Sequence, residues 1–297
     1  MKTILVLLLS ILAWPAYAAV NIFACEPEWA SLAQELGGDK VSVFAATTAQ
    51  QDPHRLEARP SLISRMRGAD LVICSGSELE IGWLPLLATQ AGNGRVQPGS
   101  RGYIEASQVV TRLEIPKVVD RSLGDIHPQG NPHVHLDPRN IAKVAEVLSA
   151  RLAEIDARNA EAYRSRAADF AKRWQQAMDK WREQAGPLKG LQVVVYHKDF
   201  SYFINWAGMR EAASLEPKPG IPPTPTHLAE LVEQMKRTPA KVVVYSPYNN
   251  PGAAHFLSQR TGIASQLMPF TVGGTPKAKD LFGLFDDTIE RLLAVTK

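Results

Sequence analysis

Seven histidines are spread over 297 residues, and three of them stand where a strand-like run gives way to a loop. His54 closes Gln51-Asp52-Pro53-His54, beyond the apolar run Val41–Ala45. His133 lies in Asn131-Pro132-His133-Val134-His135, and His197 follows Val193-Val194-Val195-Tyr196 directly. Taken singly, each reads more readily as a hydrogen-bonded loop or core residue than as a ligand. Three neutral imidazoles brought together suit a borderline-soft divalent ion such as zinc and disfavour Mg2+ and Ca2+. Proline precedes both His54 and His133 and restricts the neighbouring backbone, which helps to hold a ligand in place before an ion arrives. Three histidines with an open fourth position also describe a hydrolytic zinc centre. Glu78, Glu80 and Glu216 are conceivable bases for one, but the sequence contains no His-Glu-x-x-His motif.

The other four histidines carry weaker signals. His135 points away from His133 if that stretch is extended. His127 sits in the Gly- and Pro-rich segment 124–132, a place for a recruiting or accessory group. His227 and His255 fall within helical patterns and suit surface or supporting roles.

Positioning three distant residues requires a scaffold, and the chain alternates short apolar runs with helical patterns. Val20–Ala24, Val41–Ala45 and Leu71–Cys74 read as strands, with helices over Glu28–Leu36 and Leu62–Met66. Such alternation implies βαβ units and a parallel sheet. The stretches 92–102 and 124–132 read as loops. From Pro138 to about Gln184 Gly and Pro are nearly absent, and apolar residues recur at helical spacing, with one break near Asp156–Asn159. This stretch reads as a helical connector, or alternatively as a hairpin within one domain. Alternation then resumes: Gln192–Tyr196 and Val242–Tyr245 as strands, Thr226–Lys236 as a helix capped by Thr226, and helices over Gly252–Thr261 and Leu281–Ala294. The expected fold class is α/β, two Rossmann-like lobes with parallel sheets joined by a long rigid backbone helix. The expected divisions are a signal peptide (1–18), an N-terminal lobe (19–137), the connector (138–186) and a C-terminal lobe (187–297). A ligand would then lie in the cleft between the lobes, at the carboxyl ends of the strands.

Residues 1–18 have the form of a secretory signal: Lys2, an apolar run from Ile4 to Trp14, and Ala16-Tyr17-Ala18 as a cleavage site. Phe23 makes a poor lipid-attachment box before Cys25, so a free soluble product is expected in the periplasm. The net charge of +3 is spread along the chain, which argues against nucleic acid or anionic lipid as a partner. Cys25 and Cys74 each end a strand-like run. If those strands are neighbours, an oxidising compartment favours a bridge between them, the alternative being two buried thiols. No hydrophobic repeat argues for an oligomer, and a monomer is expected.

At these residues the chain resembles the cluster A-I solute-binding proteins, the zinc and manganese receptors of ABC importers. The likeness runs over the whole mature chain. It rests on Asp52-Pro53-His54 with Arg59-Pro60-Ser61, on Ala69-Asp70-Leu71-Val72 with Glu80-Ile81-Gly82-Trp83-Leu84, and on Asn131 to Pro138. It continues through Tyr196-His197-Lys198-Asp199-Phe200-Ser201-Tyr202-Phe203 and Glu216-Pro217 with Gly220-Ile221-Pro222-Pro223. The resemblance implies that His54, His133 and His197 bind the transported ion, Zn2+ or else Mn2+, and that the protein docks on an ABC importer membrane permease. A histidine rather than a carboxylate at position 197 points to zinc. Receptors for siderophores or corrinoids share the same architecture but need no such convergence of histidines. Two departures stand out. The His-rich loop of many zinc receptors is reduced to residues 124–130, and the C-terminal aspartate that often completes the site is missing from Met268–Gly274. Water, His127, Glu78 or Asp280 are the candidates for the fourth position.

Overall fold

The computed structural model describes residues 19–296, so the expected signal peptide lies outside the described residues. The first sheet contains β1 (Val20–Ala24), β2 (Val41–Ala45), β3 (Leu71–Cys74) and β4 (Tyr103–Glu105). All pairings are parallel and the order is β2-β1-β3-β4. Every residue of Leu71-Val72-Ile73-Cys74 is buried, as a central strand covered on both faces requires. Three helices cover this sheet: α1 (Pro27–Gly37), α2 (Pro60–Arg67) and α3 (Leu84–Ala91). Each begins with a proline in its first two positions, where a missing N–H costs nothing.

Next come α4 (Pro138–Ile155), capped by the Asp137 side chain, and α5 (Ala160–Gln184), separated by a tight turn at Ala157–Asn159. With 25 residues, α5 is about 37 Å long. Its buried stripe of Tyr163, Phe170, Trp174, Met178 and Trp181 follows the helical repeat. The Trp174 ring meets Phe282 at 4.9 Å and Phe285 at 5.7 Å, and its indole N–H donates to the Pro138 carbonyl at 2.8 Å. A helix pinned along its length in this way resists bending between the lobes.

The second sheet repeats the topology of the first: β5 (Gln192–Val195), β6 (Arg210–Ser214), β7 (Val242–Tyr245) and β8 (Ala264–Leu267), all parallel, in the order β6-β5-β7-β8. Its helices are α6 (Ser201–Trp206), α7 (Pro225–Arg237), α8 (Gly252–Thr261) and α9 (Leu281–Ala294). Two α/β lobes joined by a long helix are therefore the observed fold. One continuous apolar core runs from Val20 and Ile22 through Val134, Leu136 and Phe200 to Phe285 and Leu292, so the lobes are packed together rather than merely tethered.

Two details differ from the sequence reading. The cap of α7 is Thr224, whose hydroxyl accepts from the His227 amide, because Pro225 takes the first helical position; Thr226 lies inside the helix. The strands β4, β6 and β8 had no strand assignment, and all three are edge or near-exposed strands with short or polar sequences. The pairing of Ala24 with Ile73 brings Cys25 and Cys74 together at adjacent strand ends, and they are bonded, with Cα atoms 4.8 Å apart.

The bridge closes a loop of 49 residues. Replacing both cysteines by alanine is expected to lower unfolding stability by about 2–4 kcal/mol, chiefly by freeing the unfolded chain. Urea unfolding of the oxidised protein and the variant checks this; equal midpoints would contradict it.

Candidate metal centre

His54, His133 and His197 meet in the cleft. One ring nitrogen from each lies within 4.8 Å of the others, and the ring centroids are 5.4 to 5.7 Å apart. All three histidines picked out in the sequence therefore converge, although they come from three different loops.

Each is held by a distinct device. The His54 loop is anchored from below by buried Trp83, whose indole N–H donates to the Pro53 carbonyl at 2.9 Å. The His54 amide donates to Asp52 Oδ1 at 3.0 Å, and the same oxygen stands 2.7 Å from ring Nδ1. His197 leaves β5 with extended backbone and places Nδ1 2.6 Å from Glu216 Oε2. The Gly220 amide donates to that carboxylate oxygen at 3.0 Å and fixes its direction. In both rings a carboxylate occupies Nδ1, so Nε2 is left to face the cleft, the arrangement that orients histidine ligands in metal sites.

His133 differs. It is wholly buried, its amide donates to Asn131 Oδ1 at 2.9 Å, and neither ring nitrogen has a hydrogen-bond partner. Buried imidazole nitrogens without partners are costly unless an ion satisfies them. Asn131 also donates to the Lys198 carbonyl at 2.8 Å, tying the His133 segment to the residue after His197. The Tyr202 hydroxyl donates to the Asn131 carbonyl at 2.8 Å and tightens the same junction.

Burial and charge set the protonation of the cluster. Burial, with His54 and His197 adding to it, pushes His133 well below its usual range. His127 is lowered to about 4, first by burial and then by His54. For His197 burial opposes charging, but the Glu216 hydrogen bond and the charges of Asp199 and Asp52 outweigh it and lift the ring to about 9. Burial also favours the neutral form of Asp52, yet the His54 contacts prevail and hold that carboxyl below its ordinary value.

The remaining sequence candidates separate clearly. His127 reaches the site on a strap over the cleft, with Nε2 3.2 Å from His54 Nε2 and Nδ1 3.0 Å from the Ser77 carbonyl. The strap is fastened to the second lobe by the Asp125 amide, which donates to the Pro219 carbonyl at 2.7 Å. Gly124 and Gly220 make this crossing possible: both have positive φ, and a Cβ on Gly124 would stand 2.5 Å from the Pro219 oxygen. Beneath the strap lies a cavity of about 360 Å³ reaching His127, His133 and His197. Asp280 is not at the site; its carboxylate caps α9 by accepting from the Gly283 amide. Glu80 is buried beside Glu26, accepting from the Ser75 and Gly76 amides, and Glu216 is taken by His197. His135, which sits in a 3-10 turn rather than an extended stretch, is buried with Nδ1 3.0 Å from Glu28 Oε1 and Nε2 2.9 Å from the Phe270 carbonyl. Asp52, which orients His54, and Asp199 carry no role in the sequence reading; Asp199 is wholly buried, with Oδ1 3.6 Å from His133 Nε2. Its signal lay in its position two residues after His197 in a segment too short to leave the cleft.

Paired parallel lobes on a long helix, closing buried histidines between their strand ends, define a two-lobed solute-binding protein of the rigid-helix kind. The chain belongs to the family described as zinc-uptake complex component A, periplasmic, which it matches over residues 22–295. It is thus a metal-binding, substrate-binding protein of the ABC-transporter type. It is 24% identical over 286 residues to the manganese ABC transporter substrate-binding lipoprotein PsaA of Streptococcus anginosus, covering 91% of this chain and 89% of the relative. It is 21% identical over 246 residues to the high-affinity zinc uptake system protein ZnuA of Bacillus subtilis, covering 82% and 75%. A crystal structure of ZnuA superposes with a TM-score of 0.76 at 20% identity, over 92% of this chain and 99% of that one. The Mn-bound periplasmic metal binding protein from Candidatus Liberibacter asiaticus gives 0.74 at 16% identity, over 93% and 99%. Among the described residues no helix is long and apolar enough to cross a membrane.

In metal-free protein the His197 ring should titrate near pH 9, and Glu216→Gln should bring it down by at least about one unit as the charged acceptor is lost. Imidazole NMR shifts followed against pH report this directly; the same midpoint in both proteins would contradict the role given to Glu216.

Proposed function

We propose that this chain captures one zinc ion in the periplasm with His54, His133 and His197 and delivers it to the membrane permease of an ABC importer. The observation that carries this reading is the convergence of three imidazoles, two of them oriented through Nδ1 by Asp52 and Glu216 and the third left without partners in the interior. Three nitrogen donors favour zinc over manganese, which prefers carboxylate and water oxygens. On this reading the lobes 19–137 and 187–297 each contribute, His54 and His133 from the first and His197 from the second. The chain acts as a monomer, and its 1–18 segment directs export.

Capture is an exchange of protons for metal. His197 carries a proton near neutral pH, and the ion must displace it, so binding releases about one proton and strengthens as pH rises toward 9. The packed α5 and the shared core oppose a wide hinge motion, which leaves the strap at 120–130 and the Lys198 junction as the parts that adjust. Binding rather than turnover is favoured because the carboxylates beside the rings are already engaged, Asp52 and Glu216 at histidine Nδ1 atoms and Asp199 by the Ser246 and Tyr248 hydroxyls.

Competitive titration of the chelator-stripped mature protein should give one tightly bound Zn2+ per chain. Single replacement of His54, His133 or His197 by alanine should weaken it by at least about 100-fold, more than loss of an outer partner. Apparent affinity should rise about tenfold per pH unit between about 7 and 9, one proton being displaced. A variant that binds as tightly as the parent removes that histidine from the site, and tighter Mn2+ than Zn2+ binding in competition removes the assignment of zinc.

A further inference from the structure

We infer that Asp199 is the fourth ligand of the ion, supplied by the second lobe in place of a C-terminal carboxylate; this rests on the three-histidine site proposed above. Asp199 Oδ1 lies 3.6 Å from His133 Nε2, too far for a hydrogen bond between them. Two ligands bound at about 2.0–2.1 Å to one tetrahedral zinc stand roughly 3.4 Å apart, close to this separation. The partner atom, His133 Nε2, is fully buried and has no hydrogen bond of its own. A cation between the two groups satisfies both at once.

The carboxylate is held ready for that role. Asp199 belongs to the 3-10 turn Lys198–Phe200 that follows β5, and it is completely buried. The Tyr248 hydroxyl donates to Oδ1 at 2.6 Å, and the Ser246 hydroxyl donates to Oδ2. Each contact uses one lone pair and leaves the other on Oδ1 free to face His133. Hydrogen bonds of this kind to a ligating carboxylate fix its direction in metal sites. Ser246 and Tyr248 follow β7, so both central strands of the second sheet contribute to the placement.

His127 is the competing donor, since its Nε2 stands 3.2 Å from His54 Nε2. Two properties favour Asp199. It brings a negative charge to a dication among otherwise neutral donors, and it is immobilised in the interior, whereas His127 rides on a partly exposed strap. His127 then acts on His54 from outside the coordination sphere.

The test uses Co2+ as a spectroscopic stand-in, with the mature protein and the variants Asp199→Cys, Asp199→Asn and His127→Ala. The parent should show the intense visible bands of a four-coordinate site. Asp199→Cys should add a thiolate-to-cobalt charge-transfer band in the near ultraviolet, which appears only if residue 199 touches the metal. Asp199→Asn, which keeps the shape of the side chain but removes its charge, should alter the visible bands and weaken Zn2+ by more than the about 10- to 100-fold that loss of an outer partner costs. Parent-like visible bands in Asp199→Cys and Asp199→Asn, with no charge-transfer band, would overturn the inference. Loss of the four-coordinate bands in His127→Ala alone would hand the fourth position to His127 and overturn it equally. If the parent itself takes up no Co2+ or Zn2+, the three-histidine reading fails and takes this one with it. Thermal unfolding of the metal-free variants shows whether each is folded; should Asp199→Cys not fold, Asp199→Asn decides.

Discussion

A buried imidazole has two nitrogens to satisfy, and the architecture of this protein follows from satisfying one of them on each of two rings while leaving the other to face the cleft. Asp52 and Glu216 occupy Nδ1 of His54 and His197, and the Gly220 amide in turn braces Glu216. His133 has no such partner in the interior. Its desolvation disfavours the protonated form, so the ring is a neutral donor with an unshared lone pair in the interior. Charge is balanced in the same design: the carboxylates around the rings favour a proton on His197 against the cost of its burial.

The fold serves this constraint by placing loops from both lobes at the carboxyl ends of parallel strands. His197 leaves β5 directly, and Asp199 is bonded by hydroxyls that follow β7. Asn131 links the His133 segment to the Lys198 carbonyl, so the two lobes meet through a hydrogen bond beside the histidine cluster. Buried His135, set between Glu28 of α1 and the Phe270 carbonyl, adds a second polar link across the same boundary. Together with the aromatic packing of α5 on α9, these contacts hold the cleft residues on a firmly packed scaffold. Preorganisation of this kind favours affinity, because little order has to be created when the ion arrives.

Much of this was legible in the sequence where the local signal was strong. Runs such as Leu71-Val72-Ile73-Cys74 and Val193-Val194-Val195 are fully apolar because their strands are covered on both sides, and the histidines that follow them or their neighbours were marked as facing a cleft. The pairing of Cys25 with Cys74 followed from the same strands being neighbours. The edge strands were not legible: Arg210–Ser214 and Ala264–Leu267 are half-exposed and polar, and only pairing with a neighbour makes them strands. The polar half of the site was hidden for a different reason. Whether Asp280, a candidate for the fourth position, or Glu80, a conceivable base, reaches the cleft depends on tertiary placement, and the fold removes both, using one as a helix cap and burying the other beside Glu26. Asp52 and Glu216 likewise declare their task only once the rings they orient are in position.

X-ray absorption at the zinc edge of the stoichiometrically loaded mature protein reports directly whether three imidazoles hold the ion. A first shell of nitrogen and oxygen at about 2.0–2.1 Å is expected, with the outer-shell scattering of three imidazoles. A sulfur shell near about 2.3 Å, or a light-atom shell without imidazole scattering, would contradict it.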